Sequence, residues 1–327
     1  MILVTGASGI VGHFIVKKLI HAGHPVRAIK RAGSNISRLA AHQDKIEWVE
    51  ADILDLPALE KAFAGVERVV HCAALVSFHQ QDKKAMMDTN INGTANMVNL
   101  AITHKVKKFV HISSVAALGR KPGIDVIDEE TKWEESDNNS NYAKSKHFAE
   151  MEVWRAQEEG LPTAIVNPSI ILGPGDWDSS SMQLFKYVNE GRAFYPGGEM
   201  NYVDVRDVAE ISLAFLFNDI SGERYILNAG KAYYQEVFQL IAHYLHKPAP
   251  KIKVNAVLLT FAYILDTIKS KLLGTRAIVT RESIRLSRMN YLFSNRKVCT
   301  ALNYSFIPLE ESIAWTCEEI IKENNLL

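Results

Sequence analysis

The sequence predicts an α/β fold in which a doubly wound parallel sheet is followed by a smaller, mainly helical C-terminal domain. Three observations predict it. Strand-like and helix-like segments alternate over roughly the first 170 residues, which is typical of a parallel sheet with helices on both faces. A glycine-rich turn joins the first strand to the first helix. After Pro168 the alternation breaks, and only helical patterns follow from Tyr233 onward.

The glycine-rich turn spans residues 4–12 and follows an apolar, strand-like run. Gly6 permits a tight turn, Gly9 lets the backbone approach a phosphate, and Gly12 allows close packing of helix on strand. The helix that begins here offers free N–H groups and a partial positive charge, which suit a dinucleotide pyrophosphate. The spacing is G-x-x-G-x-x-G, and an ordinary glycine turn is the alternative. The position between a strand and an amphipathic helix favours the nucleotide.

The remaining elements are predicted from hydrophobic periodicity and from turn residues. The predicted strands are 1–4, 24–29, 45–50, 68–73, 108–112 and 163–166. The predicted helices begin after the glycine turn and continue with 57–64, 83–104, 141–160, 205–217, 233–246, 254–273, 281–289 and 308–323. We therefore expect a nucleotide-binding domain over 1–172 with a return segment at about 200–228, and a substrate-binding domain over 173–199 and 229–327.

Composition narrows the classes of function. The chain has 327 residues with 37 basic and 37 acidic side chains, so net charge gives no reason to expect nucleic-acid binding. Its three cysteines lie far apart and fit neither a metal site nor a disulfide framework, which favours a reducing compartment such as the cytoplasm. We expect no signal peptide and no metal. We also expect no transmembrane helix, because no uncharged apolar run reaches about 18 residues.

Two pairs of residues have side chains that are suited to catalysis. Tyr142 and Lys146 stand four residues apart, so they project from one helix face. A phenol has an ordinary pKa near ~10, and a neighbouring ammonium lowers it toward the neutral range, where the phenol can exchange protons. Ser113 and Ser114 follow the fifth strand, at the edge of the sheet where ligands of open α/β folds bind. The alternative interpretations are that Tyr142 and Lys146 lie on an exposed helix face, and that the two serines only form hydrogen bonds with backbone groups at the strand end.

Together these motifs resemble the extended short-chain dehydrogenase/reductase family, which belongs to the NAD-dependent epimerase/dehydratase superfamily and has a Rossmann fold. Within it, the chain is most similar to the branch of dihydroflavonol 4-reductases and 3β-hydroxysteroid dehydrogenases. The resemblance runs from residue 1 to about residue 217 and continues weakly through 308–315. It rests on Thr5 to Gly12, the serine pair and the Tyr–Lys pair, and on 51–53, 71–74, 90–94, 167–169 and 202–209.

The resemblance implies roles for individual residues. Ser114 would polarise the substrate oxygen in preference to Ser113, Tyr142 would exchange the proton, and Lys146 would hold the nicotinamide ribose and lower the pKa of Tyr142. Asn90 would more readily tie its helix to neighbouring backbone than take part in chemistry. The implied cofactor contacts are Gly6, Ser8, Gly9, Ile10, Gly12, Lys30, Arg31, Asp52, Ile53, Ala73, Ala74, Tyr142, Lys146, Pro168 and Ser169.

The end of the second strand distinguishes the two nicotinamide cofactors. NAD-binding relatives place an acid there, which binds the ribose 2′-hydroxyl. Here Lys30 and Arg31 occupy that position, and two cations suit a 2′-phosphate. We therefore expect NADP as the cofactor, with NAD as the alternative cofactor. The alternative structural interpretation is that Lys30 and Arg31 are a solvated pair of surface cations.

A basic, apolar segment lies near the C-terminus. Residues 241–300 carry eleven lysines and arginines against two acids, around the apolar run 254–265. A buried helix edged by lysines, a pocket for an apolar or anionic substrate, and contact with a membrane surface all fit it.

The expected activity is hydride transfer between nicotinamide and a carbonyl or carbinol carbon of a small, apolar substrate. The alternatives are a nucleotide-sugar epimerase or dehydratase, and a non-catalytic NADP sensor. We expect a monomer or a homodimer.

Overall fold

A computed structural model describes residues 1–120, 124–136, 139–177, 181–254 and 291–324. Its main feature is a sheet of seven parallel strands, ordered β11-β7-β5-β4-β1-β2-β3. These strands are β1 Ile2–Thr5, β2 Val26–Lys30, β3 Ile46–Glu50, β4 Arg68–His71, β5 Lys108–Ile112, β7 Thr163–Pro168 and β11 Glu223–Leu227. The chain winds outward in both directions from β1 and β4, so the order of the strands reverses between these two and leaves a crevice at their carboxyl ends. The predicted doubly wound sheet is confirmed.

The sheet is covered on both faces because its strands are apolar on both sides. In β1, Ile2 and Val4 pack into the core beneath two helices, α1 and α7, whereas Leu3 points into the core on the opposite face. The main helices are α1 Ile10–His21, α2 Leu56–Phe63, α4 Gly93–Thr103, α5 Asn141–Glu158 and α7 Val205–Phe217. The side chains of Asp55, Ser140 and Asp204 cap the amino-terminal ends of α2, α5 and α7.

The predicted single helix over 83–104 is wrong in detail. The chain forms a short helix α3 (Lys83–Met87), a wider π turn (Asp88–Asn92) and then α4. The π turn brings Asn90 inward, where its side chain is buried and hydrogen-bonded. A π turn inside a helix frequently accompanies a functional site, and periodicity alone does not reveal it.

The other elements lie outside the seven-stranded sheet. They are the strands β6 Val126–Ile127, β8 Ile170–Leu172, β9 Phe194–Pro196, β10 Glu199–Asp204, β12 Gly230–Tyr233, β13 Ile252–Val254 and β14 Leu292–Phe293, with α6 Met182–Asn189, α8 Tyr234–Tyr244, α9 Arg296–Leu302 and α10 Leu309–Asn324. Residues of α6, α8 and α10, among them Phe185, Val237 and Ile313, form a second core. By contrast, Val298 of α9 packs into the core of the main sheet, and β6 and β14 pack together against β11.

The expectation that only helices follow Tyr233 is wrong, because β13 and β14 are strands that pair in parallel with β9 and β6. Each is only two or three residues long, too short to show a periodic pattern. The helices predicted over 254–273 and 281–289, and the apolar run 254–265, lie outside the described residues except for Val254, which ends β13. The helices predicted near 233–246 and 308–323 are confirmed as α8 and α10.

Among the helices that the structure describes, none combines the length and the apolar character needed to cross a membrane.

Candidate active site

The glycine turn between β1 and α1 leaves no room for side chains. Gly6 has a φ of +65°, and a Cβ there would come within 2.8 Å of the backbone of Cys72 and Ala73. A Cβ on Gly12 would lie 2.1 Å from the carbonyl oxygen of Gly6. Gly9 caps the amino-terminal end of α1, and its amide donates to the Gly6 oxygen at 2.9 Å. The tight turn predicted at Gly6 and the close packing predicted at Gly12 are therefore present in the backbone.

The amino-terminal end of α1 is open to an anion. Gly9 caps the helix without a side-chain hydrogen bond, and the first turn carries no acid. Gly9 is exposed, while Ser8 and Ile10 beside it are partly exposed. Free N–H groups and the helix dipole at such an end favour a phosphate.

The ends of β2 and β3 lie on one side of this turn, because β2 is next to β1 in the sheet and β3 is next to β2. Lys30 is the last residue of β2 and its ammonium lies 5.9 Å from the ring centroid of Trp48, while Arg31 is exposed. Asp52 follows β3 and accepts the Leu54 amide at 2.9 Å, and Ile53 is buried. Lys30 and Arg31 thus lie at the end of β2, as the sequence predicts.

Ser114 and Tyr142 meet at the carboxyl end of β5. The side chain of Ser114 accepts the Ala116 amide at 3.1 Å and lies close enough to Tyr142, in the first turn of α5, to act on the pKa of its phenol. Ser113 instead points away into a buried contact with Glu150. Ser114, rather than Ser113, is therefore the serine beside Tyr142, and its role on the substrate oxygen stays a prediction.

Lys146 connects this pair to the glycine turn. Its side chain is buried, and Nζ donates to the Ile112 carbonyl at 2.8 Å. The ammonium and the Cys72 thiol influence each other's pKa, and the backbone of Cys72 and Ala73 lies against Gly6. Burial lowers the pKa of Lys146 to about 8, while Glu150 acts to raise it. The catalytic candidates and the nucleotide turn therefore share one site.

The electrostatics of Tyr142 differ from the expectation. Burial raises the pKa of Tyr142, and the hydrogen bond with Ser114 acts to lower it. The predicted lowering by Lys146 is not found, because the ammonium is bound to the Ile112 carbonyl and the cost of burying a phenolate is larger.

Sequence reasoning missed a buried polar cluster behind these residues. Glu150 is buried on α5 and contacts Ser113, Asn167 and Arg224, three residues from neighbouring strands. Asn167 also donates to the Ser114 carbonyl at 2.9 Å. A signal was present, because Glu150 stands four residues after Lys146 on the same face of the helix.

The structural role expected for Asn90 is borne out. Its amide group bonds both backbone groups of Leu75 and, at 2.9 Å, the hydroxyl of Ser145 on α5. His71 is similarly buried between the hydroxyls of Thr5 and Thr94, and burial lowers its pKa to about 3. Within the described part of the chain, no group of three or more His, Cys, Asp or Glu side chains is arranged to hold a metal.

The remaining predicted cofactor contacts lie near the ends of β4 and β7. Ala73 is partly exposed and Ala74 exposed, whereas Pro168 and Ser169 are buried. In the described residues the hydroxyl of Ser169 and the side-chain oxygen of Asn167 are buried without a hydrogen-bond partner. Buried polar groups are normally paired, so these two can accept or donate to a carboxamide. The site thus fits a nicotinamide dinucleotide along its length.

Curated relatives of the chain are named mainly as reductases. The chain is 29% identical to a putative dihydroflavonol 4-reductase of Synechocystis sp., over 95% of this chain and 92% of that protein. It is 30% identical to sterol demethylase protein B of Methylococcus capsulatus, over 77% and 76% of the two chains. It is 27% identical to cinnamoyl-CoA reductase 2 of Medicago truncatula, over 74% and 76%.

Solved structures and a family profile agree with these relatives. The crystal structure of gox2253 superimposes with a TM-score of 0.83, at 29% identity, over 99% of this chain and 98% of that one. The profile of the NAD dependent epimerase/dehydratase family matches residues 2–230. The chain therefore belongs to the NAD-dependent epimerase/dehydratase family, as an NAD(P)-dependent oxidoreductase of the extended short-chain type.

Proposed function

We propose that the protein uses NADPH to reduce an apolar ketone or aldehyde, or uses NADP to oxidise the matching alcohol. The observation that carries the proposal is the position of Ser114 at the carboxyl end of β5 close to Tyr142 in the first turn of α5, one helical turn from the buried Lys146. A hydroxyl pair beside a buried ammonium is suited to hold a substrate oxygen and to exchange one proton with it.

The cofactor would lie across the carboxyl edge of the sheet. The turn at Gly6, Gly9 and Gly12 would take the pyrophosphate at the amino-terminal end of α1. Lys30 and Arg31 would bind the 2′-phosphate, which favours NADP over NAD. The proposed contacts to the rest of the cofactor are Ser8, Ile10, Asp52, Ile53, Ala73, Ala74, Tyr142, Lys146, Pro168 and Ser169.

The bound dinucleotide supplies a hydride to the carbonyl carbon. Ser114 donates a hydrogen bond to the carbonyl oxygen and stabilises the negative charge that develops on it. Tyr142 donates its proton to the same oxygen, so that the carbonyl becomes an alcohol and the tyrosine is left as a phenolate. A proton from solvent then restores the phenol, and Lys146 would bind the nicotinamide ribose.

An apolar substrate is supported by the surroundings of Tyr142. The ring of Phe78 meets the Tyr142 ring edge to face, with 6.0 Å between the centroids. Val76, two residues before Phe78 in the same loop, is 47% exposed and adds to the apolar surface of this loop. Burying such surface contributes about 25 cal/mol per Å². The name of the sterol relative also points to an apolar ring system, and that of the cinnamoyl-CoA relative to an apolar, ring-containing acyl group carried on coenzyme A.

We propose the same two domains, for cofactor binding and for substrate binding, that the sequence predicts. We assign cofactor binding to 1–172 together with about 200–228, and substrate binding to 173–199 and 229–327. Three free cysteines accord with a cytoplasmic location. A monomer or homodimer remains the expected assembly.

A panel assay tests the proposal. NADPH absorbance is followed with aromatic and alicyclic aldehydes and ketones, and thermal shifts are measured with UDP- and GDP-sugars. Turnover of an apolar carbonyl supports the proposed function. Stabilisation by a nucleotide sugar, with no turnover of any apolar carbonyl, would instead favour an epimerase or dehydratase.

A further inference from the structure

A loop that follows β4, residues 75–82, lies beside the first turn of α5. Its last three residues form a 3-10 turn, Gln80–Asp82, that leads into α3. Val76 and Phe78 in this loop are apolar, and neither side chain is buried. Uncovered apolar side chains beside a site are available to a ligand, so the position of the loop decides what they can contact.

The first residue of the loop is fixed by Asn90, which lies in the π turn before α4. The Asn90 side chain accepts the Leu75 amide at 2.8 Å and donates to the Leu75 carbonyl at 3.0 Å. It also donates to the Ser145 hydroxyl at 2.9 Å, and that hydroxyl donates to the Tyr142 carbonyl at 2.8 Å. Two buried side chains, those of Asn90 and Ser145, therefore join the start of the loop to the turn of α5 that carries Tyr142.

The end of the loop is bound to the same turn of α5. Asn141, the first residue of α5, donates to the side-chain oxygen of Gln80 at 3.1 Å. Within the loop, the Ser77 hydroxyl donates to Asp82 at 2.7 Å and accepts the His79 amide at 3.1 Å. The loop is thus held at both ends and across its middle.

Phe78 lies between these hydrogen bonds and contacts the proposed proton donor. Its ring is inclined by 70° to the Tyr142 ring, with 6.0 Å between the two centroids. This edge-to-face pair is in the range that aromatic rings prefer. Because the loop is bound to α5 on both sides of Phe78, the position of this ring relative to Tyr142 is set before a substrate arrives.

We infer that Phe78 is a specificity-determining residue that selects carbonyl compounds with an aromatic ring attached to the carbonyl carbon. The inference rests on the proposed function, which places the substrate oxygen at Ser114 and Tyr142 and so brings the substituents of the carbonyl carbon beside Phe78. An aromatic substituent can pair with the Phe78 ring, whereas a saturated ring of the same size gains only from burial. The anchored loop reduces the entropy that this pairing costs.

A matched pair of substrates isolates the effect of the aromatic ring. Benzaldehyde and cyclohexanecarbaldehyde have the same number of carbons, and only the ring of benzaldehyde is aromatic. Comparing a variant with the wild type on each substrate cancels the difference in their intrinsic reactivity. In Phe78→Leu, kcat/KM for benzaldehyde should fall about fivefold, mainly through KM, while kcat/KM for cyclohexanecarbaldehyde should stay within about twofold.

Two further variants control for the ring and for folding. Phe78→Tyr keeps an aromatic ring and should retain the wild-type values for both aldehydes. Phe148→Leu is the matched control, because Phe148 is an exposed phenylalanine of α5 whose ring meets that of His147 at 5.5 Å, and it should also match the wild type. Phe78 is only partly buried, so Phe78→Leu should fold, which circular dichroism checks.

The variant Gln80→Ala tests whether the loop presents Phe78. It removes the hydrogen bond to Asn141 at the surface and should raise KM for benzaldehyde about threefold, because the loop must then be ordered on binding. Gln81→Ala changes the exposed neighbouring glutamine and should leave KM unchanged. Equal KM values in Gln80→Ala and the wild type would overturn the role of the anchored loop.

Binding of the matching alcohols distinguishes failure of the inference from failure of the proposed function. Benzyl alcohol and cyclohexylmethanol are titrated calorimetrically into the protein saturated with NADPH, where neither alcohol can be oxidised. Phe78→Leu should weaken binding of benzyl alcohol about fivefold and leave cyclohexylmethanol within about twofold.

The outcomes of this titration separate the two claims. An equal effect of Phe78→Leu on both alcohols, or no binding of benzyl alcohol by the wild type, overturns the inference even if the protein reduces other carbonyl compounds. Selective loss of benzyl alcohol binding without turnover of any carbonyl compound would retain Phe78 as the residue that binds the ring and reject only the proposed reaction.

Discussion

The glycine turn and the polar cluster around α5 lie at the same edge of the sheet but are built from different parts of the chain. In the turn, backbone contacts backbone, and even one added methyl group on Gly12 would lie 2.1 Å from a carbonyl oxygen. In the cluster, side chains from α5, β5, β7 and β11 meet through hydrogen bonds. The turn requires glycines, which have no side chain, whereas the cluster requires particular side chains.

This difference predicts how the two regions respond to mutation. Substitutions in the turn should damage folding and cofactor binding together, because the backbone cannot yield. Substitutions in the cluster should leave the fold largely intact and change rates or protonation, because a side chain can be replaced by one of similar shape.

The largest expected effect is in the turn. Gly12→Ala should destabilise the protein by at least about 3 kcal/mol and abolish NADPH binding, since the new Cβ clashes with backbone. Gly23→Ala is the control: its φ is +77° but nothing lies within 4 Å, so only left-handed strain of about 1 kcal/mol is added. Urea unfolding and NADPH fluorescence measure both. Equal stability of the two variants would contradict the account of the turn.

The next effect is catalytic and belongs to the cluster. Ser114→Ala removes the donor to the substrate oxygen, so kcat should fall about a hundredfold. The Asn167 bond to the Ser114 carbonyl is retained, and NADPH affinity and unfolding free energy should change little. Steady-state kinetics on a substrate identified by the panel assay measure this. A matching loss from Ser113→Ala, with Ser114→Ala unaffected, would exchange the roles of the two serines.

Buried histidines beneath both regions predict an acid-sensitive fold. Burial lowers the pKa of His71 to about 3, that of His13 to about 4, and that of His111 well below its ordinary value. These groups are neutral when folded and take up protons when unfolded. Stability is therefore complete above about pH 6.5 and falls below it, by about 1.4 kcal/mol per pH unit for each histidine.

His111→Phe sharpens this prediction. Neither ring nitrogen of His111 has a partner in the described residues, so phenylalanine should preserve stability at pH 7 and make the acid-induced loss shallower. Urea unfolding at pH 7, 6 and 5 measures the slope. The exposed His243→Gln is the control and should keep the wild-type slope. An unchanged slope in His111→Phe would show that His111 does not stay neutral in the folded protein.

The smallest expected effect concerns the exposed cation that follows β2. Arg31→Ala should weaken NADPH binding about tenfold and leave NADH binding unchanged, because an exposed cation contributes modestly to a phosphate contact. Calorimetric titration with both cofactors measures the ratio. A wild-type preference for NADH that Arg31→Ala does not alter would reject NADP as the cofactor.

The sequence predicted the turn and the main sheet well because local rules govern both. Apolar runs, helix periodicity and glycine spacing are encoded within about ten residues of chain, and α7 and β5 lie where periodicity placed them. Ser114, Tyr142 and Lys146 were also predicted to share a site, because the ends of parallel strands meet at one edge.

The polar cluster could not be predicted in the same way. The contacts of Glu150 join residues 17, 37 and 74 positions apart, and no local pattern encodes such pairs. The raised pKa of Tyr142 likewise follows from burial, which depends on the whole fold. Short strands such as β13 and the π turn before α4 arise from tertiary contacts rather than from propensity.

The most direct test of the central claim is Tyr142→Phe, which removes one hydroxyl and no packing volume. Turnover of a confirmed carbonyl substrate should fall at least about a hundredfold, because the proton donor is lost. The NADPH dissociation constant should stay within about twofold of the wild type, because the glycine turn and Lys146 are unchanged. Near-wild-type turnover in Tyr142→Phe would contradict the assignment of Tyr142 as the proton donor and, with it, the proposed mechanism.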